Sequence, residues 1–120
     1  MDTSCDEEVL NQAVNAVVKA VRSYLVSNCL RILSLSAAAG QETVKIEFLG
    51  FFRYYQPSTA FPRFSDAINC LKRCNAVDRI REEIPFFEWI GDRYVVINVE
   101  KLRRACLDLI KTAEHNAQSI

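Results

Sequence analysis

The chain has 120 residues, fifteen basic against fifteen acidic, with 50% hydrophobic and 25% charged. That length implies one domain over residues 1–120, able to bury a core without metal or disulfide staples. The charge balance excludes a strongly basic nucleic-acid coat, a polybasic membrane binder and an acidic tail. A single histidine excludes chemistry that needs two.

In chain order, residues 1–4 are expected to be a frayed tail. Ser4 to Glu7 fits a capping box, and Asp6, Glu7 and Glu8 suit the positive end of a helix dipole. Leu10, Val14, Val17, Val21 and Leu25 keep helical spacing, extended by Cys29 and Ile32, and Gly40 is a plausible stop. The expected helix runs from about Cys5 to about Ala38, in one piece or broken near Ser27 or Ser34. Its second half, with Leu25, Val26, Cys29, Leu30, Ile32, Leu33 and Leu35, is apolar nearly all round. Such a helix must be covered nearly all round, by the rest of the chain, by a second subunit, or by some of each.

Thr43 to Tyr55 alternates, with Val44, Ile46, Phe48, Phe52 and Tyr54 on one face and Lys45, Glu47 and Arg53 on the other. This predicts a strand, with Gly50 marking a bulge or bend. Gln56 to Arg63 is a loop holding Pro57 and Pro62. Ser65 or Asp66 can cap a helix carrying Ile68, Leu71 and Cys74, and Asn75 separates it from a short helix with Val77, Ile80 and Ile84. Phe86 to Asn98 reads as a hairpin turning at Gly91-Asp92, with Trp89 opposite Tyr94 and Phe87 opposite Val96 on the apolar face, and Glu88, Arg93 and Val95 on the other. Asn98 caps a closing helix that turns Val99, Leu102, Cys106, Leu109 and Ala113 inward, and residues 115–120 are expected to fray. The class is α+β: a long N-terminal helix, one strand plus a C-terminal-half hairpin, a short helix pair and a closing helix.

The order helix, strand, helix, helix, hairpin, helix resembles a winged helix over roughly residues 23–98. The resemblance implies a recognition helix at Ala76 to Ile84 with Arg79 and Arg81, Lys72 and Arg73 beside the turn, and Arg93 at the wing tip. The segment from Val44 to Phe52 is also similar to the strand of histone-like HU proteins, whose basic DNA-clasping arms have no counterpart here.

The chemistry-bearing residues are few. An odd cysteine count (Cys5, Cys29, Cys70, Cys74 and Cys106) with apolar neighbours reads as reduced thiols. Cys70 and Cys74 are spaced as half a zinc site, but are read as small hydrophobes on a buried face. His115, the only imidazole, falls in the expected tail. Glu82, Glu83, Glu88 and Asp92 cluster in sequence as carboxylates able to do acid–base work, but Glu82 and Glu83 follow Arg79 and Arg81 and read as a solvated helix face. The three glycines are too far apart for a phosphate loop. No catalytic residue, metal or cofactor is expected. Phe51, Tyr55, Phe61 and Phe64 are read as core rather than a recognition patch, and Lys101, Arg103, Arg104 and Lys111 as a solvated outer face.

The leading expectation is a non-enzymatic interaction module whose partner is itself or another protein, gripping Val14, Val17, Val18, Val21, Leu25, Cys29, Leu30, Ile32 and Leu33, helped by Leu102, Cys106 and Leu109. The alternative is a winged-helix DNA- or RNA-binding regulator using Lys72, Arg73, Arg79, Arg81 and Arg93, and dimerising through its terminal helices. The acidic start, unlike a leader peptide, and the absence of any uncharged run near ~20 residues point to an intracellular protein of cytoplasm or nucleus, with no membrane partner.

Overall fold

The computed structural model describes residues 5–118, with side chains through residue 114. Five helices and three strands lie among them: α1 (Glu7–Ala39), β1 (Thr43–Glu47), α2 (Phe48–Phe52), α3 (Phe64–Arg73), α4 (Asp78–Glu83), β2 (Phe87–Ile90), β3 (Tyr94–Asn98) and α5 (Val99–Gln118). The class is α+β.

α1 is one unbroken helix of 33 residues. At 1.5 Å per residue it is about 50 Å long, which matches the longest dimension of the molecule, 48 Å. Asp6 is its N-cap residue, with no side-chain cap; Ser4 of the expected capping box lies outside the described residues. Gly40 ends the helix at φ 68° and ψ 30°, the left-handed conformation in which a Cβ is penalised. Neither Ser27 nor Ser34 breaks it. α3 and α5 pack along its length, and one contiguous core of buried residues joins all three to the sheet.

The sheet has the order β1-β3-β2, both pairings antiparallel. Val44 and Ile46 of β1 lie opposite Ile97 and Val95 of β3, and these four turn inward. The hairpin differs from its expected register. Gly91 N–H bonds Tyr94 carbonyl at 2.8 Å, so the two turn residues are Asp92 and Arg93. Trp89 pairs with Val96, Phe87 with Ile97, and an irregularity separates them. Val95 is therefore fully buried, whereas Trp89 is exposed and meets Tyr94 diagonally, edge to face at 5.5 Å.

The strand expected over Thr43 to Tyr55 stops at Glu47, and α2 follows at once. Phe48, Phe51 and Tyr55 are buried while Phe52 is exposed, a three-to-four-residue spacing that belongs to a helix and not a strand. The stacked pair Phe51–Phe64, at 5.3 Å, and the edge contacts Tyr24–Phe51 and Phe48–Phe64 hold α2 on α1 and α3. Phe51, Tyr55, Phe61 and Phe64 are all core. The Tyr55 hydroxyl donates to the Phe61 carbonyl, and burial pushes its phenol pKa up.

α3 starts at Phe64, where the Asp66 carboxylate accepts the Arg63 N–H at 3.0 Å. Asn75, at φ 53°, supplies the left-handed residue between α3 and α4. α2 standing between β1 and the helix pair departs from the winged-helix order, and α4 has only six residues. Asn98 caps α5 as expected, its side chain accepting the Lys101 N–H at 2.9 Å. α5 continues past His115 to Gln118, so the tail expected from 115 is helical through that point.

Candidate interaction surface

Most of the side chains expected to grip a partner are claimed by the chain itself. Val14, Val17, Val18, Val21, Leu25, Cys29 and Ile32 of α1 are buried, as are Leu102 and Cys106 of α5. Leu33 and Leu109 are partly buried against the same core. The reason is geometric: α3 covers the first half of α1 and α5 crosses its second half, so the apolar stripe faces other helices of the same chain. Leu30 is the exception, 59% exposed.

What remains uncovered is concentrated beyond Arg22. Leu35 is 64% exposed, and Arg31 is the only charged residue between Arg22 and Glu42. Two grooves flank this part of α1. One, of about 560 Å³, runs between α1 and α5, with Val26, Ile84, Phe86 and Leu109 among its lining and the Arg22–Glu83 pair at its rim. The other, of about 360 Å³, lies between Tyr24 and Ile32 of α1, residues 44–47 of β1, and Leu49 and Gly50 of α2. Leu49 is 71% exposed. Period-two alternation gave this residue no face; the helical phase of α2 does.

The residues named for nucleic-acid recognition are dispersed and mostly engaged. Arg79 grips Glu7 with both guanidinium nitrogens, at 2.6 and 2.8 Å, pinning α4 to the start of α1. That hydrogen bond holds the Glu7 carboxyl below its usual range. Arg81 pairs with Asp78 at 2.7 Å and donates to the carbonyls of Phe87 and Glu88 on β2. Lys72 Nζ donates to the Gly91 carbonyl at 2.7 Å, tying α3 to the hairpin turn. Arg73 and Arg93 are exposed. Among the clustered carboxylates, Glu83 faces Arg22 and Glu88 accepts from Asn98 at 2.9 Å, so they do not converge on one place.

The cysteines require a correction. Cys5 and Cys74 are joined at disulfide distance, with Cα atoms 5.7 Å apart, and Cys29 and Cys106 likewise at 6.0 Å. The spacings in the chain are 69 and 77 residues, which no local pattern reports. Cys70 is buried on α3 and takes part in neither bond. No helix among the described residues is long and apolar enough to cross a membrane. Comparison with known proteins found no matching family, no matching curated protein and no matching solved structure.

Proposed function

We propose that this chain is a non-enzymatic protein-interaction module, assembling through the part of α1 that its own core leaves bare. The observation that carries the reading is the surface of α1 beyond Arg22: two exposed leucines, Leu30 and Leu35, and the single charge of Arg31 on a face otherwise built from serine and alanine. Solvated helix faces carry charge, and interface centres are depleted of it. The flanking grooves supply apolar recesses on either side. For the nucleic-acid alternative, Arg73, Arg81 and Arg93 of the five named residues are exposed, and Arg81 is already engaged by Asp78 and by the Phe87 and Glu88 carbonyls.

Leu25 and Leu30 separate folding from assembly. Leu25 is fully buried, so Leu25→Asp places a charge in the core and unfolds the chain. Leu30→Asp changes an exposed position, so the melting temperature should stay within a few degrees of the parent. Its assembly, read by light scattering and by co-purification with partners from the native source, should be lost. Lys111→Glu, on the outer face of α5, should change neither. Assembly and co-purification both unaltered by Leu30→Asp would refute the reading.

A further inference from the structure

The two edges of the sheet are treated differently. On β2 the outward carbonyls of Phe87 and Glu88 are occupied by the Arg81 guanidinium, and a register irregularity lies beside them. Bulges and charged side chains at an edge are common ways of preventing strand addition. On β1 nothing equivalent is present. Phe48 N–H bonds the Arg93 carbonyl and Val99 N–H bonds the Glu42 carbonyl, which sets the alternation of the β1–β3 ladder. Val44 and Ile46 therefore direct their backbone groups at β3, while Thr43, Lys45 and Glu47 direct theirs away from the sheet. No hydrogen bond among the described residues occupies the outward N–H groups of these three or the carbonyls of Thr43 and Lys45. The groove between α1, β1 and α2 runs along this edge.

We propose that β1 is completed by β1 of a second copy of this chain, antiparallel about a two-fold axis through Ile46, joining two three-stranded sheets into one. The proposal rests on reading the chain as an interaction module and adds to the α1 face a second contact surface, the β1 edge, whose occupant is another copy of the chain. The charges select the occupant. In that register Lys45 of each copy lies directly opposite Glu47 of the other, two attractive cross-strand pairs. It also aligns outward-facing backbone with outward-facing backbone, so that the Glu47 N–H of each copy reaches the Lys45 carbonyl of its partner. Val44 then lies opposite Phe48. Lys45 lies over the Tyr94 ring, 4.9 Å from its centroid, and turns from it toward Glu47 of the second copy when the strands pair. Leu49, exposed beside this edge, is covered by the arriving strand.

Sedimentation equilibrium on the full chain tests the pairing. The parent should be dimeric at micromolar concentration. Lys45→Glu alone and Glu47→Lys alone each place like charges opposite one another twice, and should weaken the dimer by roughly tenfold or more. The double exchange Lys45→Glu with Glu47→Lys should restore it. Lys45→Pro removes an N–H that the β1–β3 ladder does not use, so it should abolish the dimer while circular dichroism stays native. A dimer indifferent to these substitutions but lost in Leu30→Asp overturns the strand pairing and leaves the interaction reading intact. A strict monomer whose co-purified partner depends on Leu30 does the same. A monomer with no such partner overturns both.

Discussion

Gly91 is needed for a reason other than the turn conformation that its place in the hairpin suggested. A glycine opening a two-residue hairpin turn implies left-handed backbone, yet Gly40 is the only glycine with positive φ among the described residues. At Gly91 the constraint is space: a Cβ there would come within 2.4 Å of the Tyr94 ring. The ring covers the glycine across the strand pair, is met edge-on by Trp89 and is capped by Lys45. Gly91→Ala should displace that ring and cost about 1–3 kcal/mol, read from chemical denaturation. Tyr94→Ala alone should cost a comparable amount. The two changes together should cost less than their sum, since the clash exists only while both side chains are present. Full additivity would show that the ring does not sit over the glycine.

At the scale of elements, the α2 segment is where period-two reading failed and where the consequence is easiest to measure. Phe51 is fully buried between Tyr24 and Phe64, whereas Phe52 is 49% exposed. Phe51→Ala should therefore destabilise the chain by about 3–5 kcal/mol, and Phe52→Ala by under about 1 kcal/mol. A strand through this region, with Phe52 on the inner face, reverses that order. The error has a physical source. In a run as aromatic as Phe48 to Tyr55, alternation and helical spacing coincide at several positions, and the outcome is decided by Phe64 and Tyr24, distant in sequence. α1 and α5 were legible because they are long and periodic, and Asn98 and Gly40 because their capping chemistry is local. The hairpin was legible as an element but not in register, since its turn lies one residue beyond the dipeptide that suggested it. The interaction surface was half legible: the charge-poor second half of α1 was visible in the sequence, but which leucines face solvent depends on where α5 lands.

For the molecule as a whole, α1 is the spine, and three ties fasten other elements to it. Glu7 holds α4 through Arg79, Cys5 holds the end of α3 through Cys74, and Cys29 holds α5 through Cys106. The two cysteine bonds close separations of 69 and 77 residues, so in the chain-entropy account each restricts the unfolded chain by about 4–5 kcal/mol. The Glu7–Arg79 pair is solvent-exposed and adds little by comparison. A thiol reductant should therefore lower the melting temperature by ~10 °C or more. The Cys29→Ser/Cys106→Ser variant should melt lower than the oxidised parent and should retain about half of the parent's response to reductant, through Cys5–Cys74. Because Cys29 and Cys106 sit inside apolar packing between α1 and α5, the reduced chain should still fold, with native circular dichroism below its lowered transition. A melting temperature indifferent to reductant would mean that the four thiols remain separate and that packing alone fixes the helices to the spine.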